Sequence, residues 1–184
     1  MASADPAPRS YGSFAPVAAV TLVIAALAVV ASAMVGGAAA PAVDGIQDPG
    51  GLVRWGLPLV RAVHDLAAAT AIGLWIITAC CVPDRAPAAL ARGIAVGTRA
   101  AVVWIVSGLI GVVLGFADIA GMPLGSKGFW TQFQAFVWSI EPLREGIISA
   151  GLAGIAVVVA TTSGKRLGAL WAGVLGLVVM TPSS

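Results

Sequence analysis

An all-α, polytopic membrane bundle of about five spanning helices plus one short interfacial helix is expected from this chain. Three observations carry that expectation. The chain of 184 residues is 59% hydrophobic and only 10% charged, against roughly 25% charged in a soluble domain. Its mean hydropathy is +1.00. Five runs, Ser10–Val43, Leu66–Pro83, Ala100–Ala117, Gly146–Gly164 and Leu167–Ser184, contain no Asp, Glu, Lys, Arg or His. A spanning helix needs roughly 20 mostly apolar residues, so the shorter runs must extend into the charged residues that flank them.

Taken in order, residues 1–13 read as a polar, disordered tail containing Pro and Ser. Residues 14–184 form one transmembrane domain. Its first helix is expected over 14–40, stopped by Pro41. Ala38-Ala39-Ala40 resembles a small-residue cleavage site, but Phe14–Ala40 far exceeds the ~7–15-residue apolar core of a signal peptide. A retained helix is therefore expected. Ala42–Gly56, with Pro49-Gly50-Gly51, reads as a turn. The second helix is expected over 57–83, ended by Pro83, and the third over 91–119. Within 128–140, Phe129, Trp130, Phe133, Phe136 and Val137 recur at helical spacing, which suits a helix lying in the membrane interface. Pro142 fits the first turn of a fourth helix over 142–163. A fifth is expected over 167–181.

Basic residues set the expected orientation. Arg85, Arg92 and Arg99 follow the second helix and Lys165 and Arg166 follow the fourth, with Arg9 in the tail. The positive-inside rule then predicts a cytoplasmic N-terminus and an external C-terminus. Trp55, Trp130 and Trp138 fall where indole rings anchor at the outer interface. Gly93-x-x-x-Gly97, Gly111-x-x-x-Gly115 and Gly164-x-x-x-Gly168 predict close helix–helix approach.

The ionisable residues near the helices carry whatever chemistry the chain has. His64 is the sole histidine, in Arg61-Ala62-Val63-His64-Asp65. Topology gathers Arg61, His64, Asp65, Asp118, Arg144 and Glu145 at a similar outward depth. Mutual neutralisation at the headgroups is one reading of that set; a site is the other. Imidazole is both a metal ligand and a near-neutral titrating group. Met34, Met122 and Met180 fall near the outer helix ends, and thioether plus imidazole suits cuprous copper. Cys80 and Cys81 are adjacent, so on a helix they diverge by about 100° and chelate one ion poorly. They read as small packing residues. No nucleophile elbow, phosphate loop, His-x-x-x-His pair or haem-ligating histidine pair occurs, so no enzyme is expected. No basic run long enough for nucleic acid occurs either.

The stretch Arg61-Ala-Val-His64-Asp65-Leu-Ala-Ala-Ala-Thr-Ala-Ile-Gly73-Leu-Trp75 resembles the arginine–histidine helix opening of the copper resistance D (CopD) membrane proteins. The long N-terminal helix, with Trp104 and Asp118-Ile-Ala-Gly-Met-Pro123-Leu, is similar to the actinobacterial branch, in which a CopD-like half is fused to a CtaG-like oxidase assembly half. The resemblance spans roughly Phe14 to Thr181. It implies copper transport or homeostasis across the plasma membrane, with a periplasmic copper carrier or oxidase assembly components as partners beside the lipid bilayer. Of the family's ligands it carries over His64 alone, to which Met34 and Met122 are added here as candidate metal ligands. Family members have more helices than the five read here, so an N-terminal fragment of a larger protein is expected. The alternative is a non-transporting membrane scaffold or assembly subunit of a respiratory oxidase complex.

Overall fold

The computed structural model describes residues 48–83, 85–163 and 166–180, together with Val30, Ala31 and Met34. These residues form five helices: α1 (Gly51–Cys81), α2 (Pro87–Ala120), α3 (Phe129–Phe136), α4 (Glu141–Ser163) and α5 (Arg166–Met180). There is no strand among them. The helix expected over 14–40 lies outside the described residues apart from Val30, Ala31 and Met34, which are helical. The expected tail over 1–13 lies outside them entirely.

α1 begins at Gly51, well before the expected Leu57. The Pro49-Gly50-Gly51 break is thus the helix start rather than the middle of a loop. Gly50 takes φ 94°, and the Asp48 carboxylate accepts its backbone N–H at 2.9 Å while pairing with Arg54. Val53 and Leu57, both buried, hold the added turns against α2, so Pro58 is accommodated inside the helix. Val82 adopts extended backbone ahead of Pro83, as the residue before proline prefers, and α1 stops. α2 likewise starts early, at Pro87, a residue suited to the first helical position. It ends at Gly121, whose φ of 61° lets Met122 N–H bond the Ala117 carbonyl.

Three of these helices, α1, α2 and α4, are long and apolar enough to cross a membrane. The count is below the expected five. α5 has 15 residues, a length of about 22 Å against a hydrocarbon core of about 30 Å. Outward-facing positions are apolar along the long helices, including Leu59, Ile77, Val102, Val106, Ile155 and Val158.

α1, α2, α4 and α5 form a ring in which each packs on two neighbours: α1 on α2 and α5, and α4 on the same two. Every neighbouring pair runs antiparallel. Trp75 meets Gly97 and Val60 faces Gly111; Ile76 meets Gly173 and Ile72 meets Gly176; Val112 meets Gly146 and Leu143 approaches Gly115. For helices in a bilayer, where lipid offers no hydrophobic drive for association, close van der Waals contact between small residues is what holds such pairs together. The core supplies such residues: Ala68, Ala71, Ala101, Ala153, Ala156, Ala160, Ala169 and Ala172 are fully buried around Trp75 and Trp104. At Gly97 a Cβ would lie 2.8 Å from the Trp75 ring, so only glycine lets that indole seat on α2.

One end of the ring, near Gly51, Ala120 and Glu141, is aromatic. There α3 buries Phe129, which meets Phe116 edge-on and stacks with Phe133. Trp130, Phe136 and Trp138 of the same stretch point outward, as does Trp55 on α1. A helix therefore lies within the expected 128–140 but is shorter, and its aromatic residues divide between bundle and surroundings. The opposite end carries Arg85, Arg92 and Arg166.

Candidate functional site

A cleft of about 210 Å³ runs between α1, α2 and α4. Its wall on α2 follows Ser107, Gly108, Gly111, Gly115 and Asp118, one face at helical spacing, so it extends about 17 Å along the axis. Asp118 lies toward the aromatic end of this face, and Ser107 and His64 lie toward the middle of the bundle. Arg61 lies one turn from His64 on α1, and Pro142, Leu143, Gly146 and Ser149 close the side on α4. Ligand sites for drug-sized molecules run to ~300–1,000 Å³; this cleft suits an ion or a small solute.

The early start of α1 changes the depth of His64. The residue sits near the middle of a 31-residue helix rather than at its opening. It faces Trp104, near the middle of α2, and both ring nitrogens engage that one residue. Trp104 Nε1–H donates to His64 Nε2 at 3.1 Å, and His64 Nδ1 lies 3.2 Å from the Trp104 carbonyl oxygen. An indole N–H can only donate. Nε2 is therefore the acceptor, and the proton of the neutral ring sits on Nδ1, donated to the carbonyl. The rings meet edge-on, with centroids 6.1 Å apart. Ser107 Oγ also donates to the Trp104 carbonyl at 3.0 Å. Gly108 eases the approach, since a Cβ there would stand 3.1 Å from His64 Cε1 and Nδ1, a tight contact.

Of the six ionisable residues grouped by sequence, the cleft brings together Arg61, His64 and Asp118. Asp65 is exposed and does not line it. Although Arg61 and Asp65 are four apart on α1, no ion pair forms between them among the described residues. Helical spacing permits such a pair but does not compel it, because two long exposed side chains lose rotamer freedom on pairing. Arg144 pairs with Glu141 at 4.0 Å and lines a separate cleft with Glu145 and Met180. The shared outward depth inferred from topology thus resolves into two levels of one cleft and a second surface.

Neither Met34 nor Met122 lines the cleft of His64. Met34 is exposed, and Met122 packs beside the aromatic cluster of Phe116 and Phe129. Among the described residues no group of three or more His, Cys, Asp or Glu side chains could hold a metal ion. Cys80 and Cys81 are exposed free thiols. Trp104, named from the sequence only as part of the family resemblance, was given no place at the site, although its position in the run Trp104-Ile-Val-Ser107-Gly108 was visible. An indole followed four residues later by glycine on an apolar helix is a signal for close approach of a partner ring.

Comparison with known protein families, with curated proteins and with solved structures finds no match.

Proposed function

We propose that this chain is a polytopic plasma-membrane protein that handles copper, with the cleft leading its cargo from the outer side toward His64. One observation carries the reading: the sole histidine of the sequence lines a cleft that Asp118, toward one end of the bundle, also lines. The resemblance to CopD proteins supplies the identity of the metal. Three apolar helices support insertion in a membrane, and the N-terminal and C-terminal apolar segments would complete five spans. The arginines clustered near Pro87 and Arg166 favour that end for the cytoplasm, which turns the Asp118 end of the cleft outward.

The charge of the cleft bears on which ion it takes. Asp118 and Arg61 offset each other, and His64 is neutral in its hydrogen-bonded form. A hard divalent cation, which needs several oxygen ligands and negative charge, gains little there. A soft monovalent ion needs less charge and fewer ligands, and His64 is the one soft donor among the lining residues. An external copper carrier is the expected partner at the Asp118 end.

A second reading, a non-transporting scaffold for an oxidase or its assembly, is favoured by the engagement of both His64 nitrogens with α2. On that reading His64 joins two helices and nothing more. His64→Ala separates the two. Under the copper reading it lowers cellular copper content or copper-dependent growth at unchanged protein abundance, and His64→Met retains part of the activity. Unchanged copper content with reduced abundance would refute the copper reading and leave the scaffold.

A further inference from the structure

We infer that a second copy of this chain docks along α1, with Arg61 of each copy pairing to Asp65 of the other; this rests on the membrane placement proposed above and not on copper. Asp65 lies near the middle of the 31-residue α1 and is exposed on the outside of the bundle. Ionisable side chains inside a membrane span almost always face the bundle interior or pair with one another. Asp65 does neither within one chain. Arg61, one turn nearer the aromatic end and beside the cleft, is exposed as well. Among the described residues neither side chain has an ion-pair or hydrogen-bond partner.

The surface around Asp65 is shaped for a helix. Ala62, Ala69, Gly73 and Cys80 follow one another at intervals of seven, four and seven residues. At about 100° per residue they share with Asp65 an arc of about 80° on α1. Asp65, Ala69 and Cys80 are exposed, and a Cβ on Gly73 would meet nothing within 4 Å. This arc runs beside α5, whose Gly173 and Gly176 take Ile76 and Ile72 on the adjoining face. The bulky Leu59, Val63 and Ile77 lie farther round, on the side left to lipid. Small residues let two backbones approach closely enough for side chains to pair across them.

Charge decides the occupant. An acyl chain offers Asp65 no cation. Neither does the chain's own N-terminal apolar run, since Ser10–Val43 contains no Lys, Arg or His. A second α1 does. When two copies pack in parallel about a two-fold axis, each Arg61 lies one helical turn from the Asp65 opposite. Parallel coiled coils bridge an offset of this kind with long charged side chains. The contact is self-complementary, so one docking event neutralises both charges on both copies. It also sets a carboxylate of the second copy beside Arg61 at the wall of the cleft.

Cys80 and Cys81 are the only cysteines, and they report the face directly. Cys80 lies on the shared arc, and Cys81 points about 100° away. A short bis-maleimide is added to the full chain in isolated membranes, and linked products are read by mass. The Cys81→Ser variant, which keeps Cys80, gives a product of twice the chain mass, and Cys80→Ser gives about ten-fold less. In the Cys81→Ser background, Asp65→Arg or Arg61→Asp lowers the yield about ten-fold, and the two exchanges together restore it. Equal linking through Cys80 and Cys81 would mean random collision and overturn the proposal. A double exchange that reaches the membrane without restoring the link would overturn it too, as would a product of any other mass. Should one single exchange fail to reach the membrane, the other carries the comparison, and the contrast of Cys80 with Cys81 needs neither. A wild-type chain found only in the soluble fraction ends the membrane placement and the dimer with it.

Discussion

Two buried tryptophans on facing helices have opposite polar fates. Trp104 is 1% exposed and its indole N–H finds His64; Trp75 is 0% exposed and its N–H has no partner among the described residues. Burying a donor without an acceptor costs about 1–3 kcal/mol, whereas a made hydrogen bond contributes about 1 kcal/mol. Replacing either residue by Phe removes the same ring volume. At Trp75 the change also relieves an orphan donor, and at Trp104 it leaves the Nε2 acceptor without its indole partner. Trp104→Phe is therefore expected to destabilise the protein more than Trp75→Phe, by about 2 kcal/mol. Unfolding both variants in mixed detergent measures the difference. A larger loss for Trp75→Phe would mean that shape, and not hydrogen bonding, dominates both sites.

At the scale of elements, α1 and α2 are joined along their whole shared length, and glycines set the separation. Gly93 faces Thr78, Gly97 seats Trp75, and Gly108 seats His64. Both glycines of the Gly93-x-x-x-Gly97 pair were legible as a close-approach signal; the partner helix was not. Gly97→Ala pushes a methyl to within 2.8 Å of two Trp75 ring atoms. Overpacking of this kind costs about 1–3 kcal/mol. Gly151→Ala, which meets open space on α4, should instead be neutral or slightly stabilising, because alanine favours helix. Thermal denaturation of the two variants side by side tests the register of α1 on α2. Equal stability would show that the Trp75–Gly97 contact is looser than described.

For the molecule as a whole, the ring of antiparallel helices has an aromatic end and an arginine end. Trp55, Trp130 and Trp138 are exposed at one end and Arg85 and Arg92 lie at the other, and the proposed membrane placement would by the positive-inside rule put the arginine end in the cytoplasm. A reporter active only outside the cytoplasm should give signal when fused at Gly125 or Gly50 and none when fused at Ala88. Signal at Ala88 would invert the bundle and turn the cleft toward the cytoplasm. Cargo would then be collected from inside the cell, and the proposed external carrier would have no cleft end to meet.

Composition and run length by themselves determined that this chain is helical and suited to a membrane, because a bilayer demands long apolar segments with internally satisfied backbones. Proline and glycine marked most helix ends within a few residues. The start of α1 escaped, because a glycine pair followed by Leu52 and Val53 reads equally as a turn or a first turn until Val53 and Leu57 find α2 to pack against. That shift moved His64 from a helix opening to mid-depth. Only the tertiary structure decided which charges share a cleft. Periodicity puts Arg61, His64 and Asp65 on neighbouring positions of one helix, but the rotation of that helix against α2 selects two of them and turns Asp65 away. The rotation is set by where small residues let backbones approach, so it depends on pairs of helices together. For the same reason the bond between Trp104 and His64, forty residues apart, is written in neither helix alone.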